Sequence, residues 1–136
     1  MMVDNLSKEQ RKKTMSLVRD KDTKPEMAVR KLVHSIGYRY RLHRKNLPGC
    51  PDLVFPCKRK VIFVHGCFWH GHDCRAGLNR PSSNENYWTK KLERNIQRDA
   101  ENLRKFKELD WSALVIWECE TKNSEVMTNR ICGFLQ

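Results

Sequence analysis

Residues 66–83 limit what this chain can become more than any other stretch. Neither the two-residue period of a strand nor the 3.6-residue period of a helix runs through them. They are rich in cysteine, histidine, glycine, proline and aromatic residues, and open with Cys67-Phe68-Trp69-His70-Gly71-His72-Asp73-Cys74. An irregular segment of this length buries little apolar area, so its order must come from another source. Cys67 and Cys74, with either His70 or His72, offer three metal ligands. Cys119, just past a strand-like run at 113–117, is the natural fourth. Three thiolates and one imidazole suit a closed, tetrahedral zinc site of the structural kind. Ordinary buried thiols would explain any one of these cysteines, but explain their spacing poorly. No apolar export signal heads the chain, so a reducing compartment is expected and disulfides are the weaker account of its six cysteines. Cys50, Cys57 and Cys132 are left without a role.

The flanking sequence is regular. Ser7 and Gln10 have capping-box spacing and predict a first helix carrying Leu17 and Val18. Thr23, Pro25 and Glu26 open a second, whose apolar face is Val29, Leu32, Val33 and Ile36 and whose stop is Gly37. The period then changes to two, with Tyr38, Tyr40 and Leu42 alternating with Arg39, Arg41 and His43, which predicts a half-buried strand. A turn at 46–49 leads to a short strand at 52–55, a hairpin turn at 56–59 and a buried strand at 61–64. After the irregular segment a long helix is expected at 85–109, with Trp88, Leu92, Ile96, Leu103 and Phe106 at helical spacing. A buried strand at 113–117 and a last helix at 122–134 complete the chain. Trp111 and Trp117 read as core. With no repeat and no linker, residues 1–136 are expected to form one α/β domain, with 1–22 as an N-terminal arm.

Charge indicates the partner. Lys and Arg number 27 against 16 Asp and Glu, a formal net charge of +11. That excess makes a field that attracts polyanions, and nucleic acid is the first candidate. No apolar run approaches the roughly 20 residues of a membrane span, so no membrane is expected. The cytoplasm or the bacterial nucleoid is the expected location.

Cutting a phosphodiester requires charge stabilisation, a base for water and an acid for the leaving oxygen. Asp52 follows Pro-Gly-Cys-Pro at a strand start, and a short hairpin leads to a second strand ending at His65. The hairpin can bring both to one sheet edge. A carboxylate is a hard ligand suited to Mg2+. His65 and His70 flank this edge and are expected to titrate near neutral pH, as proton carriers. By itself, a Pro-Asp at a strand start is more often just a turn.

The strings PGCPDLVF, VIFVHGCFWHGHDC, NYWTKKLERNIQRD and VIWEC, in this order and spacing, resemble the very-short-patch repair (Vsr) endonucleases. The opening RKKTMSLVRDKDTKPE is similar to that family's N-terminal arm, so the likeness spans nearly the whole chain. It implies a restriction-endonuclease-like fold, a central mixed sheet flanked by helices with a structural zinc site. The implied activity is magnesium-dependent nicking 5′ of the thymine in a T·G mismatch left by deamination of 5-methylcytosine. Asp52 then matches the metal-binding aspartate, with the Val64 backbone carbonyl as a second Mg2+ ligand. His65 matches the active-site histidine, supported by Asp99; His70 matches a further catalytic histidine, and Glu26 an acidic residue near the metals. The zinc ligands correspond to Cys67, His72, Cys74 and Cys119, which selects His72. A MutL-type repair protein and a cytosine-5 DNA methyltransferase are the implied partners, and a monomer suffices for a nick. One departure stands out: Val64 replaces a threonine, which is harmless only if the carbonyl alone is used. His65 stands where the usual nuclease signature carries a lysine, as it does in the resembled family.

Phe68 and Trp69 lie among histidines and glycines, where two large rings do not both reach a core. Apolar wedges unstack bases most cheaply at a mispair. The resemblance extends this role to Trp88 and Met15. Lys91, Asn95 and Asp99 recur every four residues as one polar stripe. The resemblance makes Lys91 and Asn95 base contacts, while a solvated helix face is the plain reading. Two rival functions remain open, a non-catalytic zinc module for damaged DNA and a restriction-type nuclease cutting both strands.

Overall fold

The computed structural model describes residues 23–72, 74 and 85–136. The helix expected around Leu17, the arm and Met15 lie outside the described residues. The elements are α1 (Lys24–Ser35), β1 (Arg41–Leu42), β2 (Leu53–Phe55), β3 (Lys60–His65), α2 (Glu85–Glu108), β4 (Ser112–Trp117) and α3 (Ser124–Leu135), with 3-10 turns at Pro56–Lys58 and Glu120–Lys122. The four strands form one mixed sheet in the order β1-β2-β3-β4, with β3 and β4 parallel and the other pairs antiparallel. A parallel pair cannot be joined by a tight turn. The zinc-type loop and α2 together are the crossover.

Alternation along the strands divides the core into two layers. Leu53, Phe55, Ile62 and Ile116 face one way and meet Val29 and Val33 of α1 and Met127, Ile131 and Leu135 of α3. Val54, Val61 and Phe63 face the other way, with Ala113 and Val115 beside them, and meet Phe106 of α2. Helices therefore cover both faces of a mixed sheet, the architecture that the resemblance implied. At about 25 cal/mol per Å2, each fully buried Val, Leu or Ile contributes on the order of 1.5–3 kcal/mol before entropy is charged against it. The Glu26 N–H donates to Thr23 Oγ1 at 3.4 Å, and Pro25 sits in the first turn of α1, as the capping pattern predicts. Asn123 caps α3, accepting from the Val126 N–H at 3.2 Å.

Three expectations change in detail. The strand expected at 38–42 shrinks to Arg41 and Leu42, both exposed, because β2 offers partners for those two alone. His43 then turns away with φ at 45°. Tyr38 and Tyr40 instead pack on the edge of the α1–α3 layer. The link at 56–59 is a 3-10 turn closed by Arg59 in the left-handed region rather than a simple hairpin turn. Ile96, placed on the apolar face of α2, is 44% exposed. Its nearest neighbour in the irregular loop is Gly71, whose backbone lies against the Ile96 side chain.

Two glycines set how closely loops approach α2. Gly71 has φ +64°, and an added Cβ would come within 2.6 Å of Ile96 Cδ1; Gly49, at φ +70°, would meet Asn102 Nδ2 at the same distance. Both positions combine a left-handed backbone with contact that a side chain would block. The loops at 43–50 and 66–72 therefore close on α2 from two directions. Between them lies the C-terminal end of β3.

Candidate active site and metal centre

Asp52 ends the loop before β2, and the antiparallel register places it opposite the end of β3. Its Oδ2 accepts the Val64 N–H at 2.6 Å, which fixes the carboxylate. Beside it lies Glu26, 2% exposed on the first turn of α1. Glu26 accepts from Arg30 Nη2 at 2.5 Å and from His43 Nε2 at 2.8 Å, and His43 Nε2 is 3.8 Å from Asp52 Oδ1. Burial, and then Glu26, push the Asp52 carboxyl up to about 8, against the pull of the Val64 N–H and Arg30. Two carboxylates this close repel unless a proton or a cation lies between them. Glu26, His43 and Asp52 bring three possible ligand atoms within 4.8 Å of one another. Their donor set, two hard oxygens and a nitrogen, fits a divalent cation.

Across the same space stand two imidazoles. His65 closes β3, and His70 lies in the turn that follows. Their rings stack at 3.8 Å with 4° between planes. His70 Nδ1 donates to Asp99 Oδ2 at 2.5 Å, since an ionised carboxylate can only accept. His65 Nδ1 lies 4.0 Å from the same oxygen and has no hydrogen-bond partner. The acid expected to support His65 is thus bonded to His70. Burial, followed by the neighbouring His70, lowers the His65 value to about 4. That corrects the expectation that His65 titrates near neutrality. At pH 7 it is an uncharged ring.

This depression has a measurable consequence. Unfolded, the ring takes its ordinary value of 6.5; folded, about 4. The unfolded chain then binds a proton that the folded chain refuses. Stability from the neutral ring is complete above 6.5 and is lost as pH falls from there through 4, by on the order of 3 kcal/mol. Urea unfolding at pH 7.5 and pH 4.5, compared with His65→Asn, isolates the effect. An identical pH response in the two proteins would rule out His65 as its source.

Cys67, His72, Cys74 and Cys119 form a second cluster, each with a ligand atom within 4.8 Å of the others. Cys119 Sγ is 3.6 Å from His72 Nδ1, close to the separation that tetrahedral zinc bonds of about 2.3 and 2.0–2.1 Å require. The Cys119 N–H donates to Cys67 Sγ at 3.4 Å. Burial pushes the Cys67 thiol up to about 12 and raises Cys119 as well. A bound cation reverses that preference. The donor chemistry and the spacing fit zinc, and Cys67, 1% exposed, anchors the set in the core. Trp117 was expected in the core. It is half-buried and stands between the two clusters, stacked on His72 at 4.2 Å and edge-on to His65 at 5.3 Å. Its place at the end of β4, in register with His65, puts it there.

Beyond the cleft the rings lie toward solvent. Trp69 is 45% exposed and packs with half-buried Phe68 and Trp88 at centroid distances of 5.2 to 5.8 Å. Lys91 Nζ sits over Trp69 at 5.5 Å, and over Trp88 and Tyr87 slightly farther off. Asn95 has both ends of its amide in use. It donates to the Trp69 carbonyl at 2.8 Å and accepts from Arg98. Tyr87, Lys90, Lys91, Arg94, Asn95 and Arg98 line a groove of about 680 Å3 along α2. The second space, about 640 Å3, holds Asp52, His65, His70 and Asp99, with Val64 on its wall.

Reading the sequence missed His43, Tyr87 and Arg98. His43 carried a signal, a histidine ending an alternating run, but nothing local says that it turns toward Glu26. Arg98 stands next to Asp99 in sequence, and only the position of α2 gives it a place at the cleft.

The family model described as DNA mismatch endonuclease Vsr matches residues 3–76. The chain is 50% identical to Type II nicking enzyme V.XorIIP of Xanthomonas oryzae pv. oryzae, over 98% of each chain. It is 38% identical to Type II nicking enzyme V.NmeAIP of Neisseria meningitidis, over 96% of this chain and 92% of that one. With DNA mismatch endonuclease Vsr of Escherichia coli it shares 35% identity, over 94% of this chain and 81% of that one. Among the described residues no helix is long and apolar enough to cross a membrane. Sequence likeness along the chain, the mixed sheet and the two clusters at the end of β3 agree: this chain belongs to the Vsr family of DNA mismatch endonucleases.

Proposed function

We propose that this protein nicks one strand of double-stranded DNA on the 5′ side of the thymine in a T·G mismatch, and so begins very short patch repair. The observation that carries the reading is one cleft lined by Asp52 and by the stacked imidazoles of His65 and His70, with His70 bonded to Asp99 and with Glu26 behind Asp52, joined to it through His43. Asp52, with the Val64 carbonyl, holds Mg2+, and Glu26 adds negative charge beside it. When bound, the ion supplies positive charge to the phosphate and lowers the pKa of water. Asp52 is kept in position by the Val64 N–H. His70 has its Nδ1 committed to Asp99, which leaves Nε2 to take or give a proton, with the carboxylate steadying the imidazolium. His65 serves as a neutral hydrogen-bonding group at the end of β3, stacked on His70 so that the ring does not rotate.

Zinc held by Cys67, His72, Cys74 and Cys119 keeps the loop and β4 together, so that Phe68 and Trp69 project as a wedge. Trp88 backs them, and Met15 is a further wedge residue. Lys91 and Asn95 contact base edges, Asn95 through the N–H and the oxygen lone pair that its bonds to Trp69 and Arg98 leave over. A MutL-type protein is the proposed partner, and a cytosine-5 methyltransferase creates the lesion. A monomer acting in the cytoplasm, close to the nucleoid, is sufficient.

The test is a panel of T·G and fully paired duplexes with varied flanks, incubated with and without added magnesium and run on denaturing gels. Nicks confined to the mismatched thymine strand are expected. Cuts in both strands of paired DNA would replace this reading with a restriction-type nuclease. Trp69→Ala carries a separate prediction. Losing one stacked base contact costs about 1–3 kcal/mol, so affinity for T·G duplex should fall about tenfold or more. Paired duplex, which resists unstacking, should lose far less. Equal losses on both, by fluorescence anisotropy, would show that Trp69 is no wedge.

A further inference from the structure

The transition state of phosphodiester cleavage gathers negative charge, and a side-chain cation facing it strengthens the site. The carboxylates of the cleft do not supply one. Lys45 and Arg98 are the lysine and arginine on the cleft wall. Of the residues lining the cleft and the groove along α2, only Arg98 lines both. We infer that Arg98 binds the phosphate that is cut, as the duplex backbone runs from the basic groove into the cleft.

Three features support Arg98 over Lys45. The guanidinium presents a planar fork that engages two phosphate oxygens at once, which an ammonium does not. Its stem rises from α2 next to Asp99, the residue that holds His70, so both groups share one rigid frame. One of its nitrogens is also committed, since Arg98 Nη2 donates to Asn95 Oδ1 while Asn95 Nδ2 holds the Trp69 carbonyl. The backbone of the wedge residue and the phosphate-binding fork are therefore linked through a single amide. Seating Trp69 at a mispair brings Arg98 to a set distance along the strand, which is the preorganisation a positioned reaction needs. Lys45, by contrast, lies in the turn after β1 and not on the helix that carries Asp99.

This assignment rests on the nicking reading, and its test separates the two. Binding is measured by anisotropy with zinc-loaded protein and no added magnesium, on two T·G duplexes. One has normal phosphates; the other has a neutral methylphosphonate at the bond to be cut. Arg98→Ala should weaken binding to the normal duplex about tenfold and to the neutral duplex by no more than about twofold, because the charge that Arg98 meets is already gone. Arg98→Lys should recover part of the affinity but not the full nicking rate. Lys45→Ala should lose similarly on both duplexes. An equal loss for Arg98→Ala on both duplexes, or nicking at the wild-type rate, overturns the assignment while leaving the nuclease intact. Failure of the wild-type protein to nick any duplex overturns the nicking reading, and this assignment with it.

Discussion

Asp52→Asn is expected to lower the nicking rate by about a thousandfold or more, with the fold intact. Asparagine keeps the shape, and its side-chain oxygen still accepts the Val64 N–H, so the end of β3 is not disturbed. What disappears is the charge that holds the cation. The same substitution should stabilise the metal-free protein. Burial and the neighbouring Glu26 hold the Asp52 carboxyl at about 8, against 3.8 for the free group. For a folded-state value raised in this way, the stabilising contribution is present below 3.8 and is lost as pH rises through 8. At neutral pH the wild type therefore carries a strain that asparagine lacks, on the order of 1–3 kcal/mol after solvent relaxation. Single-turnover gels and urea unfolding at pH 7.5 measure both effects. Added magnesium should raise the wild-type midpoint and leave the variant unmoved, because only the wild type binds the ion. A variant that nicks within tenfold of wild type, or that answers magnesium as wild type does, would remove Asp52 from the metal site.

Loss of the sulfur cluster should have the largest effect on stability. Cys119→Ser removes one ligand at the end of β4, and the expected cost is about 3 kcal/mol or more, on the order of 10 °C in melting temperature. The cluster joins the irregular loop to the sheet, and among the described residues of that loop only Cys67, 1% exposed, is buried. Trp117 stands against His72 on one side and His65 on the other, so loosening the cluster should also lower nicking. Metal content by atomic absorption, melting temperature and nicking rate should fall together. Cys57→Ser, at an exposed position outside the cluster, is the control and should change none of them. A Cys119→Ser protein with full zinc content and an unchanged melting temperature would contradict the assignment.

Much of the local structure was legible in short stretches of sequence. The Thr23 cap, Pro25 and Gly37 bounded α1 because capping and helix termination are decided within a few residues. The run from Val61 to Val64 announced β3 by its apolar continuity, and the Cys67–Cys74 spacing announced a metal loop. The strand expected at 38–42 failed for a non-local reason. Alternation records which side chains face inward, but a strand needs a partner, and β2 pairs on that side with Arg41 and Leu42 alone.

By itself, then, the sequence determined most of the described elements, the α/β class, the candidate zinc-type ligands and the family. Each of these depends on spacings of a few residues, or on likeness along the chain. Tertiary structure alone decided that His43 turns onto Glu26, that Asp99 bonds His70 while His65 stays neutral, that Trp117 divides the two clusters, and that Arg98 borders both groove and cleft. These pairings join α1, β3, α2 and the loops between them. They arise only when the parallel β3–β4 pair places α2 across the open end of the sheet, and no local pattern encodes that closure.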